Sequence, residues 1–130
     1  MDNIIHQDEN LFRRVSDIPN YLKQGTDRPS SALFKDSKGV SVDRCDHRCK
    51  DDILRDEERL HELSAKEIPL RSIVSVHITL CNDLNVVYDP IIEYNDYHTV
   101  IMKDKETIEL TRSQARRLAS QCVIEKQYKN

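Results

Sequence analysis

Alternating apolar and polar residues over 72–80 form the clearest pattern in the chain. The strict alternation runs through Val74, Ser75, Val76, His77, Ile78, Thr79 and Leu80. A period of two predicts a strand with one buried face. Shorter apolar runs predict further strands at 11–15, 86–88, 99–102 and 107–110. The connections between the later strands are too short for helical crossovers, which predicts a mainly antiparallel sheet.

The segment 24–44 predicts a small β-element. Glycine, proline, aspartate and serine concentrate in 24–31, which is typical of a turn. A short apolar run follows at 32–34. Residues 35–39, with the sequence KDSKG, then predict a hairpin turn that leads into a strand at 40–42.

Two segments predict helices. In 51–65, helical spacing places Ile53, Leu60 and Leu63 on one apolar stripe. Thr111 and Gln114 match a capping box at the start of the last helix. The apolar residues that follow fall on one helical face, namely Ala115, Leu118, Ala119, Cys122 and Val123.

These elements predict an α+β fold. We expect a small, mainly antiparallel sheet with two or three helices, the C-terminal one packed on one face of the sheet. Residues 1–10 are polar and acidic, and we expect them to form a flexible leader. Residues 11–130 have the length of a single domain.

Composition narrows the functional classes. The chain has 130 residues, a net charge of −3 and two glycines, Gly25 and Gly39, which lie too far apart for a Walker loop or a dinucleotide fingerprint. The balanced charge argues against a nucleic-acid partner held by phosphate contacts. No apolar run approaches the roughly 18 residues of a membrane span, and the polar N-terminus is unlike a signal peptide. We therefore expect a cytoplasmic protein with reduced cysteines and no membrane partner.

The most suggestive local cluster for a metal comprises Cys45, His47 and Cys49. Thiolates and imidazole are zinc ligands, and a fourth ligand would have to come from His77 or Cys81. We favour a charged loop that contains two thiols, because a zinc site needs four converging ligands, and we expect no cofactor. One alternative is that these residues bind zinc. Another is that Cys45 or Cys49 is a nucleophile activated by His47.

The segment 93–98, with the sequence EYNDYH, combines acids, an amide, tyrosines and a histidine between apolar runs. Such a loop is suited to hold a base or a ligand contact. We select His98 as the candidate base because it opens a predicted strand, with Tyr94 and Asn95 as ligand-binding candidates. A turn that covers the edge of the core is the competing interpretation.

Arginines and serines near the N-terminus form another candidate site. Arginine together with hydroxyl groups binds phosphate, which favours a site formed by Arg13, Arg14, Arg28, Ser30 and Ser31. We take Arg13, Ser30 and Ser31 as catalytic candidates and Arg28 as a ligand-binding candidate. ADP-ribosylating transferases also use an early arginine, a later serine on a strand and a glutamate. In this chain the arginine and the serine lie closer together than in that arrangement. Solvated arginines beside a turn are the competing interpretation.

Three segments in order resemble a group of small uncharacterised bacterial proteins. They are RPSSALFKDSKGVSVDR at 28–44, DPIIEYNDYHTVI at 89–101 and the helix TRSQARRLA. The group has an SSAxFKDxxGxSVDR-like segment and a later DPxxxNxxH-like segment. The resemblance implies an accessory role beside bacterial defence or toxin systems, with no activity to carry over. The signature positions that it implies are Arg13, Ser30, Ser31, Phe34, Asp43 and His98.

We expect a non-catalytic cytoplasmic interaction or accessory module that binds a protein partner or forms a homo-oligomer. The alternative is a small enzyme or toxin that acts on a nucleotide or nucleic-acid substrate through His98 and Arg13. A pocket that joins the segments of Arg13, Ser30 and His98 would favour the enzyme. A flat apolar patch beside side chains bonded to the backbone would favour the module.

Overall fold

One antiparallel sheet and two α-helices make up the fold in the computed structural model, which describes residues 4–65 and 67–128. The helices are α1 (Lys50–Ala65) and α2 (Arg112–Gln121). The strands are β1 (Asn10–Ser16), β2 (Val40–Arg44), β3 (Leu70–His77), β4 (Asn85–Tyr88), β5 (His98–Met102) and β6 (Val123–Gln127). The α+β class predicted from the sequence is confirmed.

The strands lie in the order β4-β5-β2-β1-β3-β6, and each neighbouring pair is antiparallel. β1 pairs with β3 along its whole length. Its pairing with β2 is limited to Leu11 with Arg44 and Phe12 with Asp43. Beyond Phe12 these two strands separate, which leaves an opening near the middle of the sheet.

The main core lies on the sheet face that is covered by α2 and by a short 3₁₀ helix, Ser31–Phe34. Side chains at alternate positions of a strand point to the same face, so each strand supplies every second residue to this core. The buried apolar residues include Leu11, Val15, Phe34, Val40, Val42, Val74, Val76, Ile101, Leu118 and Cys122.

The opposite face of the sheet is only partly covered. α1 lies over β1 and β3, where Ile53 packs against Phe12 and Ile73. Over β5 and β4 the same face carries Val100 and Val87, which are paired directly, and Val87 is 37% exposed. This part of the sheet face is therefore left open to solvent at Val87.

The predicted strand at 32–34 is wrong. Leu33 and Phe34 are consecutive, yet both are buried in the same core. A strand would send neighbouring side chains to opposite faces, whereas a 3₁₀ turn keeps both against α2. The predicted strand at 107–110 is also wrong, because only Leu110 of that segment is buried and it makes no strand ladder.

Two helical predictions need correction at single residues. Ile53 and Leu60 are buried as predicted, but Leu63 is 61% exposed. The buried face of α1 is completed by Glu57 and His61 instead, two polar residues that sequence hydrophobicity assigns to solvent. Val123, predicted on the apolar stripe of α2, belongs to β6 and is 57% exposed.

Residues 4–9 of the predicted leader lie against the sheet, and 1–3 lie outside the described residues. Arg44 Nη2 contacts the Ile4 carbonyl oxygen at 2.8 Å and Glu9 Oε2 at 2.7 Å. Glu9 and Arg44 are both buried. Neither α1 nor α2, the α-helices of the described part, has the length and apolar character needed to cross a membrane.

Candidate functional site

Ser41 and His98 meet on the uncovered face of the sheet. His98 opens β5 and pairs with Asp43, so its side chain shares a face with Asp43 and Ser41 of the neighbouring strand. His98 Nε2 lies 3.2 Å from Ser41 Oγ. Ser41 is exposed, so its hydroxyl is open to solvent and to a bound molecule.

Asp89 fixes the protonation pattern of His98. His98 Nδ1 lies 2.9 Å from the carbonyl oxygen of Asp89 and 3.5 Å from its carboxylate oxygen Oδ2. Both oxygens only accept hydrogen bonds, so Nδ1 carries the proton. In the neutral ring Nε2 is then an acceptor, and it takes the hydrogen bond that the Ser41 hydroxyl donates.

Arg13 reaches the same residue from the other side. Its Nη1 donates to the carbonyl oxygen of Ser41 at 2.6 Å, and its Nε donates to the carbonyl oxygen of Leu33 at 3.0 Å. The guanidinium thereby joins the backbone of β2 at Ser41 to that of the 3₁₀ helix at Leu33. Arg13 therefore holds the backbone of Ser41.

A polar cavity of about 200 Å³ lies at this opening, beside Ser41. β1 and β2 supply one wall and the C-terminal half of α1 supplies another. Its lining consists of Phe12, Arg13, Arg14, Ser16, Tyr21, Leu33, Ser41, Asp43, His61, Ser64 and Ala65. The cavity therefore combines a candidate nucleophile with two guanidinium groups.

A buried pair of carboxyl groups adjoins the cavity. Glu57 of α1 hydrogen-bonds to Asp43, and no described donor bonds to the oxygens of Glu57. Burial raises the pKa of Glu57 well above its usual range, and the hydrogen bond and charge of Asp43 add to this rise, which Arg14 opposes. This shift favours the neutral form of Glu57, whose hydroxyl then donates to Asp43. Asp43 also accepts a hydrogen bond from Asn95 Nδ2 at 2.6 Å.

Several predicted site residues serve the backbone elsewhere. Arg28 donates to the carbonyl oxygens of Ala119 and Ser120 at the end of α2, where a cation suits the helix dipole. Ser30 Oγ donates to the carbonyl oxygen of Asn20 at 2.6 Å. Ser31 begins the 3₁₀ helix on the covered face, away from His98.

Asn95, in the loop between β4 and β5, donates a hydrogen bond to Asp43, which lines the cavity. Tyr94 accepts a hydrogen bond from Arg59 through its carbonyl oxygen, at 3.4 Å. Among the predicted residues, Arg13 and His98 both contact Ser41, through its carbonyl oxygen and its hydroxyl respectively, and Asn95 contacts Asp43 of the same strand. The cavity is lined by Arg13 but not by Ser30 or His98, so it does not join the three predicted segments.

Cys45, His47 and Cys49 lie in the turn between β2 and α1, where the His47 ring stacks on His6 at 4.6 Å. Across 4–65 and 67–128, no group of three or more His, Cys, Asp or Glu side chains is arranged to hold a metal ion. Cys81, a proposed fourth ligand, is buried, and burial raises the pKa of its thiol to about 12. It is therefore a protonated core thiol.

Sequence reasoning missed Ser41 and Asp89 as site residues. Ser41 is the polar position between Val40 and Val42, a pattern that marks a strand surface without indicating chemistry. Asp89 precedes a proline and reads as a turn residue. A larger hollow of about 850 Å³ lies under 19–27, but none of the predicted site residues lines it.

Comparisons of the chain with protein-family models, with curated proteins and with solved structures find no match. The functional proposal therefore rests on the side chains and distances of this chain alone.

Proposed function

We propose that the protein is a small enzyme in which Ser41 is the nucleophile and His98 the general base. The observation that carries this proposal is the 3.2 Å contact between Ser41 Oγ and His98 Nε2, with Asp89 behind the ring. A hydroxyl becomes a useful nucleophile when an adjacent base takes its proton and a third group orients that base. Ser41, His98 and Asp89 are suited to these three roles.

The proposed reaction is hydrolysis of a carboxylic ester through an acyl-enzyme. Ser41 Oγ bonds to the ester carbonyl carbon while its proton moves to His98 Nε2. The bond to the leaving oxygen then breaks, and the alcohol departs with the proton from Nε2. Water attacks the acyl group by the same proton transfers, which releases the acid and restores the Ser41 hydroxyl.

The size of the cavity supports a compact substrate. Its volume of about 200 Å³ is small beside the range of about 300–1,000 Å³ found for pockets that enclose drug-sized ligands. A short acyl group suits this space better than the nucleotide or nucleic acid expected for the enzyme alternative. A cytoplasmic location and a link to bacterial defence or toxin systems stay predictions.

The test uses a fluorophosphonate probe, which reacts with activated serines, and hydrolysis of p-nitrophenyl acetate. We expect the wild type to be labelled at Ser41, and Ser41→Ala to lose both labelling and hydrolysis. His98→Gln should lower the rate by about 10²–10⁴-fold, the usual contribution of general acid–base catalysis. Asp89→Asn should lower it less, because the Asp89 carbonyl oxygen still holds Nδ1.

Ser120→Ala, at an exposed serine of α2, is the matched control and should keep wild-type labelling. Melting temperatures of all variants show whether each one is folded. A wild type that is neither labelled nor active, or equal labelling of Ser41→Ala, would overturn the proposal.

The uncovered sheet face favours a second candidate function, the interaction module, with another copy of this chain as the partner. Val87 and Ile108 are 37% and 46% exposed on this face, close to Val100. β4 is an edge strand, so antiparallel pairing of two β4 strands would join their backbone groups and bring the two Val87 side chains together.

Light scattering after size-exclusion chromatography tests this second candidate. We expect a dimer for the wild type, a monomer for Val87→Asp and a dimer for the control Val123→Asp on the opposite edge strand. A monomeric wild type would overturn the proposal that two copies of the chain associate through β4.

A further inference from the structure

Arg14 brings a guanidinium group to the cavity beside Ser41. Phe12 pairs with Asp43, so Arg14 and Ser41 lie on the same face of the two strands where these separate. Both side chains line the cavity. An acyl group bound to Ser41 and extending into this cavity therefore ends near Arg14.

The charge of Arg14 is not matched by a hydrogen-bonded partner. Its guanidinium donates no hydrogen bond to any described residue, and its closest carboxylate contact is 3.8 Å, from Nε to Glu57 Oε2. Burial raises the pKa of Glu57 well above its ordinary range, which favours the neutral form of Glu57 and weakens its pairing with Arg14. A guanidinium in this position is suited to a bidentate pair with a carboxylate.

The remaining polar groups of the cavity define how an anion is held. Asp43 is already an acceptor for Asn95 and Glu57, and the carboxyl end of α1 at Ala65 is the negative end of its dipole. The electrostatic potential in the cavity therefore has contributions of both signs. Binding of an anion then depends on direct pairing with Arg14. The hydroxyls of Ser16 and Tyr21 line the cavity without a partner among the described residues and provide further donors.

We propose, on the basis of the esterase function proposed above, that the substrate is a short ester whose acyl group ends in a carboxylate, with Arg14 binding that carboxylate. Hydrolysis of such a half-ester releases a dicarboxylic acid and an alcohol. Arg14 is then the residue that determines the charge of the acyl group.

The test compares mono-p-nitrophenyl succinate with p-nitrophenyl butyrate, which share a leaving group and a four-carbon acyl chain but differ in terminal charge. We expect kcat/KM of the wild type to be about tenfold or more higher for the succinate, the effect of one charge-assisted hydrogen bond. In Arg14→Gln this ratio should fall towards one. Arg14→Lys, which keeps the charge without the planar fork, should give an intermediate ratio.

Arg112→Gln, at an exposed arginine of α2, is the matched control and should keep the wild-type ratio. If the wild type hydrolyses neither ester, the proposed function itself fails. If it hydrolyses the butyrate equally well, or if Arg14→Gln keeps the preference, the esterase proposal stands and the inference on Arg14 is overturned.

Discussion

Glu57 on α1 shares a buried hydrogen bond with Asp43 on β2, and both side chains are at most 3% exposed. Burial raises the pKa of Glu57 well above its usual range, and the hydrogen bond and charge of Asp43 add to that rise. The helix is thereby tied to the sheet next to the candidate site.

This pair predicts a stability that falls as pH rises. Unfolded Glu57 loses its proton near the ordinary pKa of 4.5, whereas folded Glu57 keeps it to higher pH. Above about pH 4.5 the unfolded state is therefore favoured progressively, until the folded group also ionises. Glu57→Gln keeps a neutral donor, so we expect a higher melting temperature than wild type at neutral pH and a smaller difference near pH 4.5.

Exposed Glu62 on the same helix provides the control, since Glu62→Gln should leave the pH dependence unchanged. The interpretation of Glu57 fails if Glu57→Gln and wild type differ equally at all pH values.

The Glu9–Arg44 ion pair predicts the opposite pH dependence. Burial by itself would raise the pKa of Glu9, but hydrogen bonds from Arg44 and from the backbone of His6 and Asp46 outweigh it and lower the pKa. The resulting stability is present above the ordinary pKa of 4.5 and is lost as pH falls through the lower folded pKa. Glu9→Gln should cost about 3 kcal/mol in urea unfolding at neutral pH, because the buried Arg44 loses its closest described carboxylate and keeps the longer contact to Asp46 at 3.5 Å.

A double variant separates the loss of the Glu9–Arg44 pair from the burial of Arg44 without Glu9. Glu9→Leu combined with Arg44→Met should be less destabilised than Glu9→Gln, since the buried Arg44 charge is removed together with its closest described carboxylate. A double variant that is the less stable of the two would contradict this account.

The two glycines predict different responses to alanine. Gly39 has φ +91°, and an added Cβ would lie 2.5 Å from Val100 Cγ1. Gly25 has φ +77° with no atom within 4 Å of such a Cβ. Gly25→Ala should therefore cost only the left-handed strain of about 1–2 kcal/mol. Gly39→Ala should lower the free energy of unfolding by about 1–3 kcal/mol more than Gly25→Ala, because of the clash with Val100. Equal losses for the two variants in urea unfolding would show that the Val100 side chain moves aside at no cost.

The capping box of α2 predicts a local loss of stability. Gln114 N donates to Thr111 Oγ1 at 3.1 Å, and Thr111 N donates to Gln114 Oε1 at 2.9 Å. Thr111→Ala removes one of these bonds and should lower the free energy of unfolding by about 1 kcal/mol. Ser113→Ala, at an exposed position one residue into the helix, should change it by less than half as much.

Local regularities explain why some elements could be predicted from the sequence. The alternation around Val74 and Val76 identifies β3, and the capping box with its apolar stripe identifies α2. The capping box is a contact between residues three positions apart, and the apolar stripe of α2 reflects burial of one face. For β3 the strand is predicted correctly, but the single buried face and the extension to Leu80 are wrong, because Ser72 to Val76 are all buried and a 3₁₀ helix begins at Ile78. β6 escaped prediction because its burial pattern has no alternation and it continues directly from α2.

The candidate site could be predicted only in pieces. His98 and Arg13 were selected by residue type and position, and both contact Ser41 in the structure. The sequence around Ser41 does not indicate a nucleophile, because its partner His98 lies 57 positions away along the chain. Arg28 and Ser30 had the same composition signal as Arg13, yet they bond to backbone carbonyls elsewhere.

The sequence by itself determined the class of the fold, the main helices and most strands, since these follow from periodicity and from bonds between near neighbours. Only the tertiary structure decided that β1 and β2 separate after Phe12, that Glu57 is buried while Leu63 is exposed, and that Ser41 meets His98. These features depend on which segments, distant in sequence, pack together. The free energy of that packing cannot be inferred from the pattern of neighbouring residues.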